Sequence, residues 1–393
     1  MIPENLNAGS TETRSRFRRS TPMWLSRVYA KAVSHKGVTM TRALTLITVL
    51  IMLASCAAPQ TQPTPIATPF VEPNGMLTEE QAATLGSLEL VDDHPLYTMQ
   101  YVGSYSGQAG FDESPHAVRS VEHPARGSCQ LGWACSLFAT LGDENNRLFG
   151  RNFDWQFSPA LLLFTSPADG YASVAMVDME YLGFEGDRSR NLMDLSLEER
   201  RPLLDAPFLP FDGMNEKGLA VGMAAVPAED VPHDPNKQTI DHLEVIREIL
   251  DHAGTVEEAI DIFGSFNIDM GNVPLHYLIA SALGDSALVE FRDGELVVFR
   301  NESSWQSATN FLLAATNGHP QGQCWRYDRI SQHLEELEGQ ISSQDAFGLL
   351  ADVSQDNTQW TIVYNMTTGE LGIVMGRDYS GSPLNFHVEP SGE

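Results

Sequence analysis

A thiol, a guanidinium and a carboxylate follow one another at short spacings in the stretch CSLFATLGDENNRLFGRNFDW. Arg151 comes 16 residues after Cys135, and Asp154 comes 19 residues after it. A neighbouring guanidinium lowers the pKa of a thiol and favours the reactive thiolate. A carboxylate can hold an ammonium group, which the α-nitrogen of Cys135 would supply if the Ala134–Cys135 bond were broken. An α-amine titrates at about pH 8 and suits a general base.

Two predicted strands position these groups. SLFATL and RLFGRNFDW flank the polar turn GDENN. If Leu141 lies opposite Arg147, then Cys135 falls opposite Phe153. Cross-strand and diagonal neighbours are close in such a ladder. The spacing therefore predicts a strand pair that brings the cation and the carboxylate back to the thiol.

The remaining elements predict an α+β fold. Strands are expected at PLYTMQYVGSY, GYASVAMVDMEYLGF, GMNEKGLAVGMAAV, LHYLIASALGDSALVEFRDGELVVFR, FLLAATN and TQWTIVYNMTTGELGIVMG. Helices are expected at DHLEVIREILDHAG, at CWRYDRISQHLEELEG, at SSQDAFGLLADV and from Thr255, where Glu258 completes a capping box. Grouped strands and grouped helices indicate antiparallel sheets with helices on their outer faces.

The stretch that begins at Cys135 resembles the N-terminal strand pair of the linear amide C–N hydrolases of the N-terminal-nucleophile (Ntn) superfamily. This family includes choloylglycine hydrolase, penicillin V acylase, acid ceramidase and N-acylethanolamine acid amidase. GMNEKGLAVG resembles its second motif. The resemblance places the family's nucleophile, first arginine, aspartate, oxyanion-hole asparagine and last arginine on Cys135, Arg151, Asp154, Asn317 (in ATNGHP) and Arg326 (in CWRYDRI). It implies a four-layer αββα sandwich.

One position departs from the bile-salt branch of this family. Those enzymes have an asparagine shortly after the NEKGL motif, and the aligned residue here is Ala225. Only its backbone N–H remains as a candidate oxyanion donor. This difference weakens the expectation of bile-salt specificity.

The resemblance implies hydrolysis of a small, linear, non-peptide N-acyl amide through an acyl-enzyme. Cys135 attacks, its α-amine carries the proton, Arg151 tunes the thiol, and Asp154 orients the amine. Asn317 and the Ala225 N–H stabilise the oxyanion, with Arg326 supporting the site. The mechanism requires cleavage of the Ala134–Cys135 bond, and it predicts no cofactor.

Three alternatives remain open. The first is acyl transfer, as in penicillin acyltransferases. The second is a non-catalytic, lipid-anchored solute-binding protein. The third is a Cys/His mechanism using His276 or His319, although a histidine in an apolar strand such as that of His276 is usually a hydrogen-bonded core residue. No cluster in the sequence has metal-ligand spacing, so no metal is predicted.

The N-terminal region predicts export of a lipid-anchored protein from a bacterial cell. Residues 1–55 form a signal region whose apolar core ends in LASC, which resembles a lipoprotein box and predicts lipidation of Cys56. An ordinary signal peptide is the alternative. The start lies either at Met1, with a long basic n-region, or at Met40. Residues 56–75 are a proline-rich tether, residues 76–134 a pro-segment with a strand, and residues 135–393 the catalytic domain.

The net charge of the chain and its expected export lead to two further expectations. The formal net charge of −28 argues against nucleic-acid partners. Cys129 and Cys324 would both face an oxidising compartment. A disulfide between them is one alternative, and two free thiols are the other.

Overall fold

A computed structural model of the protein describes residues 76–105, 134–184, 191–271 and 273–388, all within the unit Gly75–Glu393. The strands are β1 (Glu89–Asp92), β2 (Leu96–Gln100), β3 (Ala134–Thr140), β4 (Leu148–Asp154), β5 (Ala160–Thr165), β6 (Ser173–Asp178), β7 (Asp212–Asn215), β8 (Leu219–Ala225), β9 (Thr239–Asp241), β10 (Asn267–Asp269), β11 (Leu275–Ser281), β12 (Ser286–Arg292), β13 (Glu295–Arg300), β14 (Trp305–Ala308), β15 (Thr358–Asn365), β16 (Glu370–Met375) and β17 (Leu384–His387). The α-helices are α1 (Glu79–Gly86), α2 (Glu244–His252), α3 (Val256–Ser265), α4 (Trp325–Glu336) and α5 (Ser343–Asp352).

Two large sheets form the centre of the fold. The first has nine strands in the order β1-β2-β5-β6-β7-β8-β11-β12-β13, and the second has six in the order β14-β3-β4-β15-β16-β17. The prediction of antiparallel sheets is confirmed for all but one of these pairs. The exception is β2, which runs parallel to β5. A separate small ladder of β9 and β10 is also parallel.

The layers follow from contacts at points of close approach. A Cβ added at Gly222 of β8 would lie 2.8 Å from Leu137 in the six-stranded sheet, so the two sheets pack directly on each other there. On the outer face of the first sheet, Leu250 of α2 packs against Gly213 of β7. On the outer face of the second, Asn152 of β4 donates to the Leu350 carbonyl of α5 at 2.8 Å. The predicted αββα sandwich is therefore confirmed.

The segment that precedes Cys135 is part of this fold. The predicted strand at Pro95–Tyr105 is confirmed as β2, whose parallel partner β5 lies inside the sheet. Leu85 of α1 and Tyr97 of β2 are fully buried. The Tyr105 hydroxyl donates to Asp251 of α2 at 2.8 Å. Residues 76–105 thus contribute core side chains as well as an edge of the sheet.

Most of the other predicted elements are confirmed, including the Thr255–Glu258 capping box at the start of α3. The expected buried strand FLLAATN is wrong. The chain leaves β14 at Ala308 and forms a 3-10 turn at Leu313–Ala315 instead. None of the helices in the described ranges combines the length and apolar character that a bilayer-spanning segment requires.

Candidate active site

The β3–β4 hairpin brings the thiol, the arginine and the aspartate together. Cys135 lies opposite Phe153, Leu137 opposite Arg151, and Ala134 opposite Asp154, which is the predicted register. Cys135 is 4% exposed, and Arg151 and Asp154 are fully buried. The polar turn between the strands is fixed by Asp143, whose side chain accepts from the Asn145 N–H at 3.0 Å.

Arg151 lies between the thiol and a carboxylate that the sequence analysis did not identify. Its Nη2 is 3.8 Å from Cys135 Sγ, and its Nη1 is 2.5 Å from Asp212 Oδ2. Asp212 also accepts from the Tyr364 hydroxyl at 2.5 Å and from the Trp360 indole N–H at 3.3 Å. Asp212 directly precedes the GMNEKGL motif, so its acidic character at the start of a buried strand was the available sequence signal.

The surroundings of Cys135 act in opposite directions on the pKa of its thiol. Burial raises the pKa of Cys135 above its ordinary value, because a thiolate is poorly solvated there. Arg151 lowers this pKa but does not offset burial, and the charge of Asp154 raises it further. The expectation that the guanidinium alone would favour the thiolate is therefore incomplete.

The two carboxylate oxygens of Asp154 differ in their hydrogen bonding. Its Oδ1 accepts from the Thr358 hydroxyl at 2.5 Å. Its Oδ2 is buried and has no hydrogen-bond partner among the described residues, with Arg326 Nη1 4.0 Å away. Burial raises the pKa of Asp154 to about 6, although Thr358 and Arg326 act in the opposite direction.

The backbone nitrogen of Cys135 is held by a second residue that the sequence analysis missed. The Cys135 N–H donates to Asn310 Oδ1 at 2.7 Å. Arg326 Nη2 donates to the same oxygen at 2.9 Å, and its Nη1 donates to the Cys135 carbonyl and, at 2.9 Å, to Ser136 Oγ. Arg326 and Asn310 thus fix the main chain on both sides of the Cys135 Cα atom.

The structure does not bring Asn317 to this position. Asn317 is exposed, has a left-handed φ of 53°, and follows the Leu313–Ala315 turn. The sequence contains ATN twice, at 308–310 and 315–317, and the asparagine of the first copy is the one that contacts the Cys135 nitrogen. The difference arises because FLLAATN contains a 3-10 turn where the sequence predicts a buried strand.

The backbone of Ala225 is oriented toward Asn310. The Val226 N–H donates to the Pro274 carbonyl at 2.9 Å, on the side of β11. Backbone N–H groups alternate in direction along a strand, so the Ala225 N–H points to the opposite side. On that side Asn310 Nδ2 donates to the Ala225 carbonyl at 2.8 Å. The predicted candidate oxyanion donor therefore lies on the same side as the Asn310 amide.

A cleft opens onto Cys135 and is mostly apolar. Apart from Cys135 and Asp154, it is lined by Phe153, Trp155, Tyr181, Phe211, Met223, Ala225, Val273 and Leu275. A larger cleft lies between β1 and the β16–β17 edge and includes none of the predicted site residues. The smaller cleft is thus the one associated with the reactive groups.

The two histidines considered for a Cys/His mechanism have other environments. His276 Nδ1 lies 3.1 Å from Glu290 Oε1, and both side chains are buried. His319 is exposed. The hydrogen bonds described for Cys135 involve neither histidine.

Three further predictions concern positions away from the cleft. Cys324 is disulfide-bonded, and Cys135 is free. Cys129 and Cys56 lie outside the described residues, so the Cys129–Cys324 pairing and the lipidation stay predictions. In the part of the chain that the structure describes, no group of three or more His, Cys, Asp or Glu residues is arranged to hold a metal ion.

Residues 135–311 match the family model of the linear amide C–N hydrolases, choloylglycine hydrolase family. The match confirms the resemblance and the prediction of an amidohydrolase that acts on linear amide bonds. No curated protein matches the chain. Similar solved structures include a mutant of the conjugated bile acid hydrolase from Clostridium perfringens (19% identity, 64% of this chain and 92% of that chain covered, TM-score 0.45) and penicillin V acylase from Agrobacterium tumefaciens (18% identity, 64% and 85% covered, TM-score 0.44).

Proposed function

We propose that this linear amide C–N hydrolase uses Cys135 as its nucleophile and the α-amine of Cys135 as its general base, after cleavage of the Ala134–Cys135 bond. The observation that carries this proposal is the pairing around the α-nitrogen. Asn310 Oδ1 accepts from that nitrogen at 2.7 Å, and the hairpin brings a buried carboxylate with an open oxygen, Asp154 Oδ2, to the same end of β3.

Cleavage changes what these groups can do. An amide nitrogen has one N–H, which Asn310 already accepts, whereas an ammonium has three N–H donors. A buried open carboxylate oxygen is costly by itself, and an ammonium beside it would offset that cost. The same ammonium would lower the pKa of Asp154 from its raised value. Asp154 is therefore suited to the cleaved form.

The catalytic steps follow from these positions. The thiol proton passes to the α-amine as sulfur attacks the amide carbonyl, and the negative charge forms on the carbonyl oxygen. The Ala225 N–H and the Asn310 amide are the candidate donors to that oxygen, and loss of one such donor typically costs about 100- to 1,000-fold in rate. The α-ammonium then protonates the departing amine, and water hydrolyses the acyl thioester.

Maturation would use the same thiol. Attack of Cys135 Sγ on the Ala134 carbonyl breaks the peptide bond, forms a thioester on Sγ and frees the α-amine, which takes the proton. Water then hydrolyses the thioester and releases the Ala134 carboxylate and the Cys135 thiol. The fragment before Cys135 would stay attached, because β2 is paired with β5 and Tyr105 is bonded to Asp251 in the core. The mature protein is then a two-chain molecule.

The acyl half of the substrate is expected to be apolar. The cleft beside Cys135 presents aromatic rings from Phe153, Trp155, Tyr181 and Phe211. Such walls favour aliphatic or aromatic acyl groups over charged ones.

We also propose that the protein is exported and anchored through a lipid on Cys56, on the basis of the LASC sequence after an apolar segment. Labelled palmitate should enter the wild type and be absent from Cys56→Ser. Equal labelling of both proteins would exclude this anchor.

The proposed reaction is tested with purified protein and a panel of N-acyl amino acids, bile-acid conjugates, penicillin V and N-acylethanolamines. N-terminal sequencing of active protein should find Cys135 as a new N-terminus. Cys135→Ala should remain uncleaved and lose hydrolysis, whereas Cys324→Ala should retain some activity. Full turnover by Cys135→Ala would refute the mechanism. A wild type that stays uncut, does not react with iodoacetamide and cleaves no amide would instead favour a binding protein.

A further inference from the structure

A buried carboxylate and a buried imidazole lie on neighbouring strands and have no part in the mechanism above. Glu290 of β12 is fully buried, and His276 of β11 is 1% exposed. His276 Nδ1 and Glu290 Oε1 are 3.1 Å apart. A carboxylate only accepts hydrogen bonds, so Nδ1 carries the proton in this contact.

The Glu290 carboxylate also accepts two backbone N–H groups. Leu313 donates to Oε1 at 2.8 Å, and Ala314 donates to Oε2 at 2.9 Å. These residues begin the 3-10 turn at Leu313–Ala315. The first N–H groups of a helical turn have no acceptor within the turn itself. Glu290 supplies that acceptor.

This turn begins shortly after Asn310. Before Asn310, Ala308 pairs with Leu137 in the β14–β3 ladder. After Asn310, only two residues separate it from the N–H groups that Glu290 holds. The short segment that carries Asn310 is therefore fixed at both ends, once by the sheet and once by Glu290.

His276 extends the connection to the other oxyanion donor. It lies opposite Ala224 in the β11–β8 ladder, one residue before Ala225. Glu290 and His276 consequently join the segment that carries Asn310 to the strand pair that carries Ala225. The hydrogen bond from Asn310 Nδ2 to the Ala225 carbonyl joins the same two segments directly.

We propose that Glu290 and His276 are positioning residues that set the separation between the Asn310 amide and the Ala225 N–H. This inference rests on the proposed function, because it assigns those two groups as oxyanion donors. A carboxylate is required because three donors converge on its two oxygens. A glutamine at this position would offer one acceptor oxygen and direct an NH₂ group at a donor.

The decisive variant is Glu290→Gln. Displacement of an oxyanion donor weakens binding of the transition state more than that of the substrate. We expect kcat to fall on the order of 10- to 100-fold while KM changes little. An aldehyde analogue of a substrate that the wild type cleaves should lose affinity by a similar factor. A non-hydrolysable analogue of the ground state should keep its affinity.

The matched control is Asp251→Asn, which also converts a buried carboxylate to an amide. Asp251 lies on α2 and bonds to Tyr105 and Arg247. We expect it to lower the unfolding temperature without changing kcat per folded molecule. His276→Asn, which keeps an N–H donor, should retain more kcat than His276→Leu.

The outcomes separate the two proposals. Hydrolysis by the wild type but not by Cys135→Ala supports the proposed function independently of Glu290. Given that result, an unchanged kcat in Glu290→Gln, or equal losses in Glu290→Gln and Asp251→Asn, would overturn the positioning role. If Glu290→Gln does not fold, equal kcat in His276→Asn and His276→Leu overturns it, and a selective loss in His276→Leu supports it.

Discussion

The two sides of Cys135 differ in how their charges are paired. Toward the nine-stranded sheet, Arg151 contacts Asp212 at 2.5 Å, and Asp212 is further bonded to Tyr364 and Trp360. Toward α4, Arg326 lies 4.0 Å from Asp154. One oxygen of Asp154 has no hydrogen-bond partner in the part of the chain that the structure describes. Arg151 thus has a carboxylate at hydrogen-bond distance, although its Nε has no partner among the described residues, whereas Asp154 and its arginine are 4.0 Å apart.

The two arginines differ in the same way. Burial alone would lower the pKa of Arg151, but Asp212 and Cys135 outweigh it and the pKa is raised. Burial lowers the pKa of Arg326, and the more distant Asp154 does not offset it. The comparison shows that Arg151 and its carboxylate are in close contact in the intact chain, whereas Asp154 and Arg326 are 4.0 Å apart. The looser pairing of Asp154 supports the proposal that it binds the α-ammonium after cleavage.

The largest expected effect on catalysis is that of Asp154→Asn. An amide cannot stabilise the α-ammonium, so kcat should fall about 100- to 10,000-fold, the range of a general base. The fold should be kept, as thermal unfolding and circular dichroism would report. If Asp154→Asn had wild-type rates at every pH, Asp154 would have no role in holding the α-ammonium.

Asp154→Asn should also change the pH dependence of stability. This change is measured in a Cys135→Ala background, in which the chain stays uncleaved. The folded pKa of Asp154 is raised from 3.8 to about 6. The folded state then binds a proton more tightly than the unfolded state, so stability falls as pH rises through that window. The loss amounts to about 3 kcal/mol, and Asp154→Asn should remove it. Urea titrations at several pH values measure this difference.

On the other side, Asp212→Asn should act mainly on stability. It leaves the buried Arg151 charge without a carboxylate, which typically costs about 3–5 kcal/mol. Chemical denaturation at neutral pH measures the loss. The double variant Arg151→Met/Asp212→Leu should recover much of the stability but not the activity. Equal free energies of unfolding for Asp212→Asn and wild type would show that Asp212 does not compensate the buried charge of Arg151.

The smallest expected effect is that of Thr358→Val, which removes the hydroxyl that donates to Asp154 Oδ1. This hydroxyl lowers the pKa of Asp154, so its loss should move the acidic limb of the pH–rate profile upward. A hydrogen bond of about 1 kcal/mol corresponds to about 0.7 pH unit. Thr358→Ser keeps a hydroxyl and serves as the control. Identical profiles for Thr358→Val and wild type would argue against Asp154 as the titrating group.

Local sequence determined the hairpin at the centre of this site. The length of the GDENN turn and the alternation of the flanking strands set the register that places Arg151 and Asp154 beside Cys135. The grouping of strands and helices determined the fold class in the same way, because each element carries its own periodicity. These features depend on contacts between residues that are close in sequence.

Tertiary structure decided the remaining features. Two ATN copies are equivalent as sequence, and only the path of the chain after β14 selects Asn310 over Asn317. Asp212 becomes the partner of Arg151 because β7 begins where the Arg151 side chain reaches it. The raised pKa of the Cys135 thiol is also a tertiary effect, since burial depends on both sheets and no local spacing encodes how much water remains around the sulfur.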